Sequence, residues 1–312
     1  MADIRKVATR QSYGEALVEL GAAHDDFVVL DADLAVATQT GKFKAAYPDR
    51  FIDVGIAEQN LMGVAAGIAT TGRKVFASTF AMFAAGRAFE QVRNSIGYPH
   101  LHVVIGATHA GISVGEDGAT HQCNEDLALM RAIPGMTVIV PADDVEAKAA
   151  VRAAYEAEGP VYVRLGRLPV PVIHKDDYHF ELGRGIVERE GSDVTVVACG
   201  LEVSAALEAA KMLAAKGVSC EVINMATIKP LDGDLIVASA RKTGRVVTVE
   251  EHSVIGGLGS AVCDLLCEAC PTPVKKIGVN DVFGESGPAL DLLAKFGLDG
   301  AGVAEAIEGF VR

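Results

Sequence analysis

Tryptophan is absent from this 312-residue chain, and aromatic side chains make up only 5 % of it. Without large rings to fill a sandwich core, and with 33 glycines among many small apolar residues, the composition points to tightly packed α/β layers. Positive charge is also in short supply. The net charge of −13 argues against nucleic acid or an anionic membrane surface as the main partner. No apolar run is long enough to cross a bilayer, and the opening MADIRKVATRQ has no signal-peptide core. Six cysteines in a chain with no export signal suggest a reducing, cytoplasmic setting. Cys263, Cys267 and Cys270 lack a nearby histidine or fourth cysteine, so they are read as buried apolar residues on one helical face, and no metal is assigned. Neither a Gly-x-Ser-x-Gly elbow nor a Walker phosphate loop occurs, which weakens hydrolase and nucleotide-binding readings. The glycine cluster at 256–260 could open a helix as an anion-binding nest, or simply allow helix and strand to pack closely.

What is present is a regular alternation. Continuous apolar runs such as FVVLD at 27–31, LHVVIGA at 101–107 and the strand at 194–198 have no polar side to show to solvent. Segments of helical periodicity separate them. Strands of this kind belong in mostly parallel sheets covered on both faces. The stretch LPVPVIHKDDY at 168–178, with its prolines and charge cluster, breaks the pattern before it restarts. The expectation is an α/β fold of two doubly wound, mostly parallel-sheet domains, residues 1–170 and 186–312, joined by a linker at 171–185.

Two stretches invite chemistry. FIDVGIAEQNLMGVAAGIATTG, residues 51–72, reads as a short strand, a break at Gly55 and a helix of small residues. Gly63 and Gly67 on that helix would let another backbone come close. Glu58 stands in its first turn, where the helix dipole alone favours a carboxylate. The loop THAGISVGEDGATHQ, residues 108–122, follows a buried strand and gathers His109, His121, Glu116, Asp117 and three glycines. A polar loop of that length at a strand's carboxyl end is a place for a ligand.

Taken together, DVGIAEQN, TFAMF and VGEDGATHQ resemble the transketolase-like thiamine diphosphate enzymes, over nearly the whole chain. The resemblance implies a pyrimidine-binding domain followed by a transketolase C-terminal domain. It implies that Glu58 stands against the aminopyrimidine of thiamine diphosphate and makes that ring basic enough to activate the cofactor. Phe80 and Phe83, expected on one helical face, would pack on the pyrimidine, and Asp33 matches an acid near the cofactor at the subunit boundary. His121 and Asp117 match residues that contact hydroxyls beside the reacting carbon of a ketose. Arg10, His109 and Arg167 match those that hold the sugar phosphate. One position departs from the family: Ala37 stands where a phosphate-binding serine is found, with Thr38 the nearest hydroxyl.

No Gly-Asp-Gly motif with a following Asn, the family's diphosphate and Mg²⁺ signature, is found here. The chain is therefore expected to be the C-terminal subunit of a split transketolase. An N-terminal partner would supply the diphosphate and Mg²⁺ site, in a heterotetramer acting on sugar phosphates. The alternation around Glu58 also resembles 1-deoxyxylulose-5-phosphate synthase and the beta subunit of 2-oxoacid dehydrogenase first components. The loop with two histidines favours the sugar enzymes. A non-catalytic regulatory homologue is the alternative of another class; it would be expected to lose buried site charges that cost stability without a ligand.

Overall fold

The structure, a computed structural model, describes residues 5–312, so the first four residues of MADIRKVATRQ lie outside it. The first half carries β1 (Lys6–Val7), β2 (Phe27–Asp31), β3 (Phe51–Asp53), β4 (Lys74–Phe80), β5 (Val103–Thr108), β6 (Thr137–Ile139), β7 (Val161–Arg164) and β8 (Val170–Pro171). The second carries β9 (Ile186–Arg189), β10 (Val194–Ala198), β11 (Cys220–Asn224), β12 (Thr227–Lys229), β13 (Val246–Ser253) and β14 (Val274–Val279). Helices connect the parallel strands and cover the faces, as the alternation predicts.

The larger sheet has the order β12-β6-β7-β5-β4-β2-β3, and its strands from β3 to β6 all run parallel. β2, β5 and β7 are buried along their whole length and β4 from Val75 onward, which is why they carry Val, Ile, Phe and Ala without alternation. Since β2 pairs with β3 on one side and β4 on the other, chain direction across the sheet reverses there. Such a reversal opens a crevice at the strands' carboxyl ends. The smaller sheet, β14-β13-β10-β11-β9, has its own reversal at β10.

Several details differ from the sequence expectation. β12 comes from the second half yet closes the edge of the first sheet, antiparallel to β6, and β9 is an antiparallel edge strand. The proline-rich stretch is pinned to the N-terminal arm through β1–β8 pairing. Residues 79–95 are not one regular helix: β4 runs on through Phe80, and two π-helical turns, Phe83–Arg87 and Val92–Gly97, follow. On helix Glu58–Ala69 the buried face is Leu61, Met62, Ala65, Ala66 and Ala69. Gly63 and Gly67 face away from it, and a Cβ at either would meet nothing within 4 Å. The cysteine trio is not a buried face: Cys267 is exposed, Cys263 is partly so, and Cys270 caps helix Leu258–Ala269 rather than lying in it. That helix buries Leu258, Ala261, Val262 and Leu266 instead. No helix among the described residues is long and apolar enough to cross a membrane.

Candidate active site

Neighbouring parallel strands deliver the candidate residues to one edge. β3 ends at Asp53; Gly55 then turns with φ +74° and leads into Glu58. β2 ends at Asp31, two residues before Asp33, while β4 ends on Phe80 and β5 runs directly into His109. Arg167 lies just beyond β7. Asp33 (φ 61°) and His109 (φ 56°) both adopt left-handed backbone, a strained conformation that surrounding structure must hold and that concentrates at functional sites.

Glu58 is 2 % exposed, and its Oε2 accepts a hydrogen bond from Arg87 Nη1 at 2.9 Å. The π turn explains the meeting. By lengthening the turn it carries Arg87 back beneath Phe83, with the guanidinium carbon 4.6 Å from the ring centroid. Nothing in the sequence pairs Glu58 with Arg87, although a lone cation in the apolar run FAMFAAGRAF was the available signal. Phe80 and Phe83 reach each other from a strand end and a helical turn, rather than from one helix face. Their rings are stacked at 5.8 Å and 14°. His109 stacks on Phe80 at 3.8 Å, and the edge of His121 meets Phe83 at 5.4 Å. The two aromatic and two imidazole rings therefore form one continuous wall.

His109 is almost fully buried, and Thr108 Oγ1 lies 2.9 Å from its Nδ1. Burial, then the Arg10 and Arg167 guanidinium groups, push its pKa down to about 3, so it is neutral at physiological pH. Arg10 and Arg167 line a cavity of about 570 Å³ with Gln11, Gln39 and Ser113. Burial and then the charge of Arg167 hold the Arg10 guanidinium below its ordinary pKa. Arg10 Nη1 donates to the Ala37 carbonyl at 2.6 Å, and Arg167 reaches Glu116 at 3.3 Å and Asp117 at 3.8 Å. Thr38 offers no substitute for the missing serine. It is fully buried and its hydroxyl donates to Asp31 Oδ2 at 2.7 Å. Burial raises that Asp31 carboxyl to about 6.

A second cleft, of about 710 Å³, lies between Phe83, Arg87, Thr120 and the C-terminal Phe283. The 108–122 segment divides the two clefts: Val114 and Glu116 line the first, Ala119 and Gln122 the second. Contrary to the picture of an open polar loop, residues from Thr108 to Gly115 are buried, and Ile112–Asp117 forms a 3₁₀ turn. Glu116 and Asp117 are its exposed members. The nest at 256–260 is already filled, because Glu250 accepts the Leu258 and Gly259 amides at 2.7 and 2.8 Å. Among the described residues no group of three or more His, Cys, Asp or Glu is placed to hold a metal ion. What the site can accommodate is an apolar heterocycle against the aromatic wall beside a shielded carboxylate, and an anion between two guanidinium groups.

Residues 5–172 match the family described as the transketolase pyrimidine binding domain, and residues 183–303 the transketolase C-terminal domain. A putative transketolase C-terminal section from Methanocaldococcus jannaschii is 50 % identical over 301 residues, covering 96 % of this chain and 94 % of the relative. The 6-deoxy-6-sulfo-D-fructose transketolase subunit SqwH of Clostridium sp. is 44 % identical, covering 95 % and 92 %. Against human transketolase the chain spans 49 % of the relative's length, at 39 % identity. A solved structure described as a split gene transketolase, inactive beta4 tetramer, superposes with a TM-score of 0.89 at 57 % identity, covering 97 % of each chain.

Proposed function

Because this chain belongs to the transketolase family, we propose that it is the C-terminal subunit of a split transketolase, moving a two-carbon ketol unit from a ketose phosphate to an aldose phosphate. The reading divides the chain into a pyrimidine-binding domain (1–170), a linker (171–185) and a C-terminal domain (186–312). An N-terminal partner subunit contributes the diphosphate and Mg²⁺ site, and two copies of each chain make a cytoplasmic heterotetramer. The structural relative described as an inactive tetramer of beta chains agrees with activity needing the partner.

Thiamine diphosphate supplies, when bound, a nucleophilic carbon that adds to the ketose carbonyl. Glu58 holds a proton at its carboxyl against the pyrimidine nitrogen, in a place where 2 % exposure keeps water from competing. To do so, Arg87 releases Oε2, and its half-exposed position leaves it room to move. Phe80 and Phe83 form the apolar wall beside the pyrimidine, and Asp33 stands at the boundary with the partner. His121 and Asp117 contact the sugar hydroxyls, with His121 moving protons at the reacting oxygen. Arg10 and Arg167 clamp the phosphate. Neutral His109 donates to it without adding charge.

The observation that carries this reading is the convergence of a shielded carboxylate, a stacked aromatic wall and a paired guanidinium cleft on one strand edge. The test is to mix the chain with an N-terminal transketolase subunit, thiamine diphosphate and Mg²⁺, and assay ketol transfer between sugar phosphates. Transfer that needs both chains is expected. A pyruvate-dependent product without ketol transfer would instead indicate synthase or dehydrogenase chemistry.

A further inference from the structure

The smaller sheet reverses direction at β10, and the crevice beside β10 and β13 is where an open α/β sheet takes a ligand. Glu251, on β13, faces that crevice, and what occupies it is the 111–122 segment of the first half. Ser113 N–H donates to Glu251 Oε1 at 2.5 Å. Gly111 approaches so closely that a Cβ there would sit 2.3 Å from the Glu251 carboxyl carbon. From the opposite side comes the turn at 284–287. Ser286 Oγ donates to the Glu116 carbonyl at 2.9 Å, and a Cβ on Gly118 would lie 2.6 Å from the same Oγ.

Between these two grips lies Gln122, 3 % exposed. Its Nε2 donates to Ile112 O at 3.1 Å, Gly115 O at 3.2 Å and Glu285 O at 2.9 Å, so two N–H hydrogens serve three carbonyls. The backbone of the C-terminal turn is packed onto this amide: a Cβ on Gly284 would fall 1.8 Å from Oε1. With Arg167 taking the Val114 carbonyl, the acceptors of 112, 114, 115 and 116 are all captured by side chains. A 3₁₀ turn with Gly115 at φ 83° in its interior has no regular ladder to hold it, so these side chains set its shape.

We propose that the C-terminal half holds the substrate loop as its own ligand, and that Gln122 is the positioning residue that fixes where Asp117 and His121 stand. This rests on the ketol-transfer reading and assigns to the second domain the task of presenting those groups to the sugar. A carboxylate at 122 would face three carbonyl oxygens with acceptors only, whereas methionine keeps the length and loses the donors.

Gln122→Met and, as a milder second variant outside the loop, Ser286→Ala are compared with the parent chain by two measurements. Backbone hydrogen exchange, followed by mass spectrometry without substrate or partner, is expected to quicken at least tenfold over 112–121 while β4 and β5 stay unchanged. In the assembly with the N-terminal subunit, Gln122→Met is expected to lower kcat/KM for the ketose about tenfold with the affinity for thiamine diphosphate unmoved. Ser286→Ala is expected to act in the same direction and less. Unchanged exchange over 112–121, or exchange that rises equally across the whole chain, would overturn the proposal, as would a loss of cofactor affinity equal to the loss in kcat/KM. If the parent assembly transfers no ketol unit while the exchange result holds, the ketol-transfer reading falls and the holding of the loop stands.

Discussion

Replacing Arg87 with alanine isolates the contact on which the state of the site depends. Glu58 is 2 % exposed and Arg87 is 51 % exposed, with 2.9 Å between Nη1 and Oε2. Breaking a wholly buried ion pair costs about 3–5 kcal/mol, whereas an exposed pair contributes about 0–1 kcal/mol. With one member shielded and the other half in water, Arg87→Ala should cost about 1–2 kcal/mol, most of it the stranded carboxylate. The ring of Phe83 beneath the guanidinium adds about 0.5 kcal/mol to that figure. Glu58→Gln removes the charge, so in that background Arg87→Ala should cost only the ring contact, about 0.5 kcal/mol, leaving a coupling of about 1–2 kcal/mol. Urea unfolding of the isolated chain, followed by far-ultraviolet circular dichroism since there is no tryptophan, gives all four corners of the cycle. A coupling indistinguishable from zero would refute the claim that Arg87 pairs with Glu58.

The His174 imidazole lies between Asp143 and Glu188, at 3.1 and 2.9 Å. Burial pulls its pKa down, but the two carboxylates more than offset this and raise it to about 10. The stability it contributes is therefore complete below an unfolded pKa of about 6.5 and is lost as pH rises through about 10. Thermal melts of the parent chain should fall over that window, and His174→Gln should lower Tm by about 5 °C at pH 7 and flatten the decline; parallel pH profiles would count against it. Gly111→Ala combines a φ of +78° with a clash against the Glu251 carboxyl and should cost at least about 2 kcal/mol in urea, so a neutral result would mean the loop does not press on Glu251. In the assembly with the partner subunit, Arg10→Ala should raise KM for a phosphorylated ketose about tenfold and leave an unphosphorylated one unaffected, and equal effects on both would remove Arg10 from the anion site.

Much of the framework is legible in the chain because buried parallel strands announce themselves. FVVLD and the run at 194–198 coincide with β2 and β10, each buried throughout. The family motifs likewise lead to residues that the fold brings to one strand edge. What the chain conceals are pairings made through space. Arg87 meets Glu58 only because a π turn adds a residue to the coil, and no periodicity of 3.6 foretells that. β12 is three residues long and joins a sheet whose other strands were written some sixty residues earlier or more. The loop at 108–122 reads as a polar loop open to a ligand because its polar atoms look unpartnered in sequence. Their partners, Glu251, Glu285 and Ser286, are 138, 163 and 170 positions away. The 256–260 nest is committed at short range instead: its captor, Glu250, comes from the preceding strand, eight and nine positions before the Leu258 and Gly259 amides, rather than from a ligand.

The central claim is that the Glu58 carboxyl carries a proton for the bound cofactor, and Glu58→Gln tests it with almost no change of shape. Turnover is measured in the assembly of this chain with its N-terminal partner, with subunit stoichiometry verified by native mass spectrometry. The account predicts ketol transfer reduced by about 100-fold or more with the assembly intact. Turnover within twofold of the parent, from an equally intact assembly, would contradict it.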